Sequence, residues 1–433
     1  MDTIWVYGDF DWLKEPICIG ELSHETLRGS SSFAFEFGRD WLERYGSITL
    51  SADLNNYVGK QYTKPGQDLF GCFSDSLPDR WGRTLIQRRE QVLAQAENRT
   101  ARKLNSFDCL LGLDDRCHMG AFRFKKEGEV SFVNDDAFCP IPPITNLRAL
   151  NDASIAIERS EANNQLPNIE CLRQLFRPGS SLGGARPKAV VCNEMGIMYM
   201  AKFPSIKDDY DVALWEHVMH KLAKHVGIEV ADTNVINTGG PYHILLSKRF
   251  DRTYTGKRIH FSSAMTQLGL TDGQNADTGH GYLDILDFIL ESGCQADQNQ
   301  HELFKRVAFN ICVGNTDDHF RNHGFLLTSK GWKLSPAYDM NPTHNQYQSL
   351  LINATTNESS LDILLDSADC YLLEKAEAES IIQEVRKGVS DWRRFAKHYG
   401  ASNRDMDYFQ SVLDRNRILD QQPTITRSKG RGR

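Results

Sequence analysis

A dense group of polar side chains follows an apolar stretch in the C-terminal half of the chain. Asp317 and Asn322 lie five positions apart, and Asp339 follows a predicted hairpin, GFLL–TSKG–WKLS, that brings it back beside them. An acid, an amide and a second acid can hold a divalent cation on hard oxygen ligands. The first acid would remain free to accept the proton of a substrate hydroxyl. This is the layout of a phosphoryl-transfer site; the alternative is a capped, exposed loop followed by an ordinary hairpin.

Further features of a kinase occur upstream, in the order that this chemistry requires. Residues 180–185, SSLGGA, form a Gly-rich turn. Lys202 ends the predicted strand YMAKF, Glu216 lies on the helix that follows, and LLSKRF (245–250) would form the hinge. Each feature is weak alone, because Gly-Gly turns, strand-end lysines and helical glutamates usually have only structural roles. Their order, and their placement on the right elements, together favour a phosphotransferase.

Hydrophobic periodicity predicts a strand-rich region followed by a helical one. DVALWEHVMHKLAKHVGI predicts an amphipathic helix, and two strands joined by a Gly-Gly turn follow it. AFRFKKEGEVSFVN predicts a hairpin with its turn at Glu127-Gly128. We interpret CPIPPI (139–144) and the polar stretch from Asn151 to Asn168 as a domain boundary or a loose connection. Long helical patterns predominate after residue 280.

The composition of the 433 residues is that of an ordinary globular protein, which excludes disordered, collagen-like and fibrous classes. Lysine and arginine number 50 against 57 aspartate and glutamate, and the net charge of −7 disfavours a protein that coats nucleic acid. The ten cysteines include no C-x-x-C pair, so we expect reduced thiols. The N-terminus has acids where a signal peptide needs positive charge, and no apolar run reaches the ~18–20 residues of a membrane span. We therefore expect a cytoplasmic protein without a membrane partner.

At these motifs the sequence resembles the HipA-like serine/threonine kinases, the toxin components of bacterial toxin–antitoxin modules. FGCFSDSLPDRWGRTLIQRR (70–89) is similar to their N-terminal subdomain, and SSLGGARPKAVV is similar to their Gly-rich loop. GNTDDHFRNHGF and LSPAYDM are similar to their catalytic and metal-binding motifs. The resemblance covers nearly the whole chain and implies an α+β, two-lobe protein-kinase-like fold. It also implies three parts: an N-terminal subdomain (1–135), a strand-rich N-lobe (136–255) and a helical catalytic C-lobe with a basic tail (256–433).

The same resemblance assigns roles to the residues of the catalytic and metal-binding motifs. Asp317 would be the catalytic base, and His319 would orient the catalytic loop. Asn322 and Asp339 would hold Mg²⁺.

ATP-binding residues are implied for the predicted N-lobe. Lys202 would contact the phosphates, and Lys188 would assist in ATP binding or in ordering the Gly-rich loop. Lys248 and Phe250 lie at the hinge, where backbone groups and an aromatic ring would hold adenine. Within the loop the resemblance implies Gly183 and Gly184 as ATP-binding residues, Ser181 as the autophosphorylated serine, and Ser180 as the alternative to it.

Partners are implied as well. They are a helix-turn-helix, HipB-like antitoxin, operator DNA reached mainly through that antitoxin, and a protein substrate of the aminoacyl-tRNA synthetase class, whose phosphorylation would arrest translation and growth. Two alternatives stay open. Phosphoinositide kinases share the Asp-x-His-x-x-Asn run, so a lipid or small-molecule acceptor also fits residues 317–322. A degenerate kinase fold could instead be a non-catalytic DNA-binding or scaffold protein.

Overall fold

The structure, a computed structural model, describes residues 2–27, 30–64, 67–134, 141–176 and 184–415. Within them the fold is α+β, as expected, with three antiparallel sheets of five, four and three strands. The predicted loop residues Ser180, Ser181 and Gly183 and the basic tail lie outside the described residues. No helix in the described ranges is long and apolar enough to cross a membrane.

The first sheet belongs to the N-terminal domain, by which we mean residues 2–134. Its strand order is β4-β3-β2-β1-β5. The elements are β1 (Asp2–Gly8), β2 (Ile17–Leu27), β3 (Ser30–Phe37), α1 (Arg39–Tyr45), β4 (Lys60–Tyr62), α2 (Gly71–Ser74), α3 (Arg80–Ala96), α4 (Ser106–Gly112), a 3₁₀ turn (Asp115–Cys117) and β5 (Phe122–Lys126). The alternation in SFAFEF buries Phe33, Phe35 and Phe37 on one face of β3.

The predicted hairpin around Glu127-Gly128 forms only in part. Its first half is β5, but the residues after the turn are not a strand. Val133 donates one backbone hydrogen bond to Phe124, whereas Val130 is 91 % exposed. A second strand therefore lacks the buried alternate side chains that would hold it in register.

The second sheet, in the order β6-β7-β9-β8, forms what we call the N-lobe together with its helices. The elements are a 3₁₀ turn (Ile144–Asn146), α5 (Leu147–Ala162), α6 (Ile169–Phe176), β6 (Lys188–Cys192), β7 (Met198–Lys202), α7 (Val212–His225), β8 (Thr233–Ile236) and β9 (Ile244–Lys248). The predicted amphipathic helix is α7, and the two strands predicted after it are β8 and β9.

The interpretation of Asn151–Asn168 as a loose connection is wrong. Residues 147–162 form α5, which packs against α6 and the N-lobe sheet. Leu147, Leu150, Ala153 and Ile157 recur at helical spacing and are buried, although polar residues separate them. The narrow apolar stripe is sufficient for a helix that is buried on one side only.

The third sheet, in the order β10-β11-β12, belongs to the helical region that we call the C-lobe. Its elements are β10 (His260–Ser263), α8 (Ala264–Gln267), a 3₁₀ turn (Ala276–Thr278), α9 (Tyr282–Ser292), α10 (Ala296–Val313), β11 (Gly324–Thr328), β12 (Gly331–Leu334), α11 (Leu361–Asp366), α12 (Lys375–Val389), α13 (Trp392–His398) and α14 (Asn403–Leu413). The β11–β12 hairpin is present, and helices predominate after residue 280 in the described part of the C-lobe, as expected.

A five-residue segment of the N-terminal domain contacts both lobes. Asp75 accepts hydrogen bonds from the Ser263 N–H and hydroxyl, each at 2.8 Å, at the start of α8 in the C-lobe. Four residues later, Asp79 contacts the Lys188 ammonium of the N-lobe at 2.7 Å. Both carboxylates are buried. The N-terminal domain thus meets both lobes through buried polar contacts.

Candidate active site

A buried lysine–glutamate pair joins the N-lobe sheet to α7. Lys202 ends β7, which pairs with β6 on one side and β9 on the other, so its backbone is fixed from two directions. Glu216 lies in the second turn of α7, whose start is fixed by the Asp211 carboxylate accepting the Leu214 N–H. Lys202 Nζ donates to Glu216 Oε1 at 2.7 Å, and the glutamate is 3 % exposed. The strand lysine and the helix glutamate singled out in the sequence are therefore in direct contact.

Asp339 of the C-lobe contacts the same ammonium. It lies just past β12 with a φ of +57°, a left-handed conformation that aspartate tolerates better than most residues. Its Oδ1 accepts from Lys202 Nζ at 2.7 Å. Burial raises the pKa of the Asp339 carboxyl, but the charge and the hydrogen bond of Lys202, together with the charges of Lys188 and His319, lower that pKa to about 2. Burial likewise lowers the pKa of Lys202, but Asp339 and Glu216 raise it above its ordinary value. An ionised Lys202–Asp339 contact therefore connects the two lobes at neutral pH.

The two adjacent acids of the catalytic motif have different surroundings. Asp318 is buried, whereas Asp317 is exposed. The Oδ2 atom of Asp318 contacts three neighbours: Tyr282 Oη at 2.7 Å, Asn310 Nδ2 at 2.8 Å and His323 Nε2 at 2.7 Å. Burial raises the pKa of Asp318, but His323 and these hydrogen bonds bring it below its ordinary value. Asp318 is therefore a structural carboxylate that fixes the loop against α9 and α10.

Asp317 has the surroundings of a proton acceptor. Partial burial, together with the charges of Asp339 and Asp318, raises the pKa of Asp317 above its ordinary value, although His319 acts in the opposite sense. A base works best when its pKa lies nearer to the working pH, so this shift favours proton transfer. The structure places the predicted base at the surface of the loop, where a substrate hydroxyl can reach it.

Asn322 has an orientation that suits a metal ligand. Its Nδ2 donates to the Asp317 carbonyl at 2.9 Å and its N–H donates to the His319 carbonyl at 2.8 Å, which leaves the amide oxygen for a ligand. Asp339 uses one carboxylate oxygen for Lys202 and has a second. Mg²⁺ prefers one or two protein oxygens completed by water and substrate phosphates, so this donor set fits it. No cluster of three His, Cys, Asp or Glu side chains that could hold a metal occurs in the part of the chain that the structure describes.

His319 contributes to this loop through its backbone. Its carbonyl accepts the Asn322 N–H, while its buried Nδ1 makes no hydrogen bond within the described residues. The expected orienting role of the imidazole stays a prediction.

The hinge follows β9. Lys248 Nζ lies 3.8 Å from the centroid of the exposed Tyr254 ring. Phe250 packs against Tyr338 and Phe261, with ring centroids 5.5 and 5.9 Å apart. The Lys248 N–H already donates to a carbonyl of the strand region before β8. An adenine at this hinge would therefore contact the remaining backbone groups and the Phe250–Tyr338 aromatic pair.

The N-terminal domain contacts the residue that follows β9 in the predicted hinge. Arg249, 4 % exposed, donates to the Cys117 and His118 carbonyls at 3.0 and 2.7 Å. Its guanidinium also pairs with Asp251 at 2.6 Å. The hinge backbone is thus held between β9 and the loop before β5.

Many of the predicted site residues line one pocket. It is lined by Met200, Lys202, Glu216, Ser247, Lys248, Arg249, Phe250, Arg321, Asn322, Tyr338 and Asp339. Tyr338, which the sequence analysis did not single out, contributes a ring wall and donates to the Arg321 carbonyl at 2.6 Å. Its position next to Asp339, the predicted metal ligand, is the signal that could have identified it. Asp317 and His319 lie on the adjoining loop.

Lys188 and Gly184 lie at the edge of this arrangement. Lys188 is buried against Asp79 and faces Lys202 across the β6–β7 ladder. Gly184 has a φ of +107°, and a Cβ there would lie 3.1 Å from Lys188 Nζ. Asp79 could not be assigned to this region from the sequence, because it lies 109 positions from Lys188.

Comparisons with known proteins point to one family. A family model described as the HipA N-terminal domain matches residues 12–125, and one described as the HipA-like C-terminal domain matches residues 180–392. The serine/threonine-protein kinase toxin HipA of Shewanella oneidensis is 23% identical over 355 residues, which cover 75% of this chain and 72% of that protein.

Among solved structures, a chain from the Shewanella oneidensis complex of HipA, HipB and operator DNA has the same fold. The TM-score is 0.67 at 19% sequence identity, and the match covers 93% of this chain and 95% of that chain. This likeness confirms the expected two-lobe, α+β fold.

Proposed function

The chain belongs to the HipA family, and on this premise we propose that it is a serine/threonine protein kinase, the toxin of a toxin–antitoxin module. The observation that carries the proposal is the Lys202–Glu216 ion pair, which also holds Asp339 and lies beside the Asp317 loop. Protein kinases need a strand lysine paired with a helix glutamate and a metal-binding aspartate in place. The Shewanella relative, a serine/threonine-protein kinase toxin, supports the same activity.

ATP is the proposed phosphoryl donor. Its adenine would occupy the pocket at Lys248 and Phe250, and its phosphates would lie toward Lys202 and Gly184. When bound to Asn322 and Asp339, Mg²⁺ would neutralise phosphate charge. Lys202 supplies a fixed positive charge there, since its two carboxylate partners keep it protonated and oriented.

Asp317 would act as the catalytic base. Its carboxylate accepts the proton of a serine or threonine hydroxyl while that oxygen forms a bond to the γ-phosphorus. The bond from the γ-phosphorus to the β,γ-bridging oxygen breaks, and ADP leaves with the electron pair. Asp318 keeps the loop in place through its three contacts, so the base and the metal ligands hold a fixed spacing.

The proposal includes regulation by autophosphorylation of Ser181, with Ser180 as the alternative. A phosphate adds about −1.5 to −2 charges to a loop that must approach the phosphates of ATP. Repulsion between these like charges would keep the loop open and inactivate the enzyme.

The proposed partners follow from the family. We propose a HipB-like antitoxin, with operator DNA reached mainly through it, because the matched Shewanella chain comes from such a complex. The net charge of −7 fits a protein that touches DNA through a partner. We propose an aminoacyl-tRNA synthetase as the protein substrate, a cytoplasmic location, and the division into 1–135, 136–255 and 256–433, which the three sheets support.

The test is phosphotransfer by the purified full chain. The protein is incubated with γ-labelled ATP and Mg²⁺, separately with a bacterial lysate and with phosphatidylinositol vesicles, and Asp317→Asn is run in parallel. The proposal expects Asp317-dependent label on protein serine or threonine, abolished by EDTA. Label on lipid alone would contradict a protein substrate, and no Asp317-dependent label would contradict the kinase itself.

A further inference from the structure

The Lys188 side chain lies on the face of the N-lobe sheet that is turned toward the pocket. It begins β6 and lies directly opposite Lys202 of β7. Directly opposed residues of an antiparallel pair share a face, and every second residue of each strand shares it too. Met200 and Lys202 are two such residues, and both line the pocket. Lys188 is therefore on the phosphate side of the sheet.

The Lys188 ammonium is held by a residue from outside the N-lobe. Its Nζ lies 2.7 Å from Asp79 Oδ2, and the two side chains are 2 % and 1 % exposed. Asp79 is the N-cap of α3, and its other oxygen, Oδ1, accepts the Gly82 N–H at 2.7 Å. The helix cap fixes one carboxylate oxygen and so directs the other at the lysine.

Gly184 also lies close to the ammonium. A Cβ at that position would be 3.1 Å from Lys188 Nζ, so only glycine leaves the ammonium its full space. Gly184 is also the last glycine of the Gly-rich segment and has a left-handed φ of +107°. The Lys188 ammonium thus lies close both to the N-terminal domain and to the backbone that continues from the Gly-rich loop.

We propose that Asp79 is a positioning residue of the ATP site, through which the N-terminal domain holds the Lys188 ammonium where it attracts the nucleotide phosphates. The inference rests on the proposed kinase function. Burial disfavours an ion that lacks a compensating charge. The Asp79 carboxylate, 2.7 Å from Lys188 Nζ, supplies such a charge, so a residue of the N-terminal domain helps to hold the ammonium in place.

The test is ligand binding to the full-length protein, with ATP and adenosine as the two probes. Asp79→Asn keeps an oxygen for the Gly82 cap but removes the charge that faces Lys188. Lys188→Met removes the cation, and the double variant removes both. Glu90→Gln is the matched control, because Glu90 is a buried carboxylate on the same helix that pairs with Arg99 instead.

We expect Lys188→Met to weaken ATP binding about 10- to 100-fold, as for a lost charge-assisted hydrogen bond. We expect Asp79→Asn to weaken it about 5- to 10-fold, and the double variant to be no weaker than Lys188→Met. Adenosine has no phosphates, so its affinity should not change in any variant. A merely structural role of Asp79 would weaken both ligands together. Glu90→Gln should bind both normally.

Failures of the two proposals can be told apart. Unchanged ATP binding by Asp79→Asn, with weak binding by Lys188→Met, would overturn the positioning role and leave the kinase site intact. Tighter ATP binding by Asp79→Asn would overturn it too, because the carboxylate would then compete with the phosphates. Unchanged binding by Lys188→Met would remove Lys188 from the proposed ATP site. If Asp79→Asn does not fold, Asp79→Ser, which keeps a capping oxygen, is measured against the same expectations.

Discussion

Replacement of Lys202 by methionine would remove the one cation that two carboxylates share. Glu216 Oε1 and Asp339 Oδ1 each lie 2.7 Å from Lys202 Nζ, so they lie within about twice that distance of each other. Two charges about 5 Å apart repel by about 3 kcal/mol at an effective dielectric constant of about 20. Loss of one partner from a buried ion pair costs about 3–5 kcal/mol. We therefore expect Lys202→Met to lower the free energy of unfolding by about 3–5 kcal/mol at pH 8.

The loss of unfolding free energy in Lys202→Met should be smaller at lower pH. Burial raises the pKa of Glu216 even with Lys202 present, and without Lys202 that pKa would rise further. A group whose pKa is higher in the folded state than in the unfolded state stabilises the fold as the pH falls. Glu216 of the variant should therefore take up a proton more readily as the pH falls, which removes the repulsion with Asp339.

The assay is urea unfolding of the parent, Lys202→Met and Lys202→Met/Glu216→Gln at pH 8 and pH 5. The double variant lacks the Glu216 charge that Lys202→Met leaves without its lysine. Its free energy of unfolding should therefore be higher than that of Lys202→Met by about 2 kcal/mol or more at pH 8. The double variant should still lack kinase activity, because the Lys202 charge, the proposed phosphate contact, is absent. A single variant within about 1 kcal/mol of the parent at both pH values would refute the reasoning.

Three further expectations concern pH and metal. The pKa of Asp317 is raised above 3.8, so kcat/KM should fall as the pH falls through that pKa. A pH profile of kcat/KM that is flat from pH 7 to pH 4 would contradict the role of Asp317 as the base. Burial lowers the pKa of His118 and His220 to about 4 and of His260 to about 3. The unfolded chain binds these protons first, so urea unfolding should show stability falling as the pH drops from 6.5 toward 4, by about 3 kcal/mol for each histidine. Asp339→Asn should need at least about 10-fold more Mg²⁺ for half-maximal phosphotransfer, and an unchanged Mg²⁺ titration would argue against Asp339 as a ligand.

Local patterns predicted most of the elements that position the site. The stripe of α7 and the β11–β12 hairpin can be read from neighbouring residues, since each element buries side chains at its own period. The catalytic motif is also local, with Asp317 and Asn322 on one loop. The helix α5 was missed because polar residues separate its buried side chains, and a single buried stripe is a weak signal in sequence.

Long-range contacts were beyond the reach of these patterns. Asp79 meets Lys188 across 109 positions, and Asp75 meets Ser263 across 188, without any periodicity that links them. The different roles of Asp317 and Asp318 depend on which carboxylate α9 and α10 bury. Such assignments follow from the tertiary packing of several elements, and one short motif does not contain them.

Single-turnover phosphotransfer by Asp317→Asn tests the central claim most directly. The control is Asp277→Asn, which makes the same change in an exposed turn of the C-lobe. Loss of a positioned base reduces the rate by about 10²- to 10⁴-fold, whereas ATP binding does not require the base. The account predicts a loss of that size for Asp317→Asn with an unchanged Kd for ATP, and a normal rate for Asp277→Asn. A rate for Asp317→Asn close to that of the parent would contradict it.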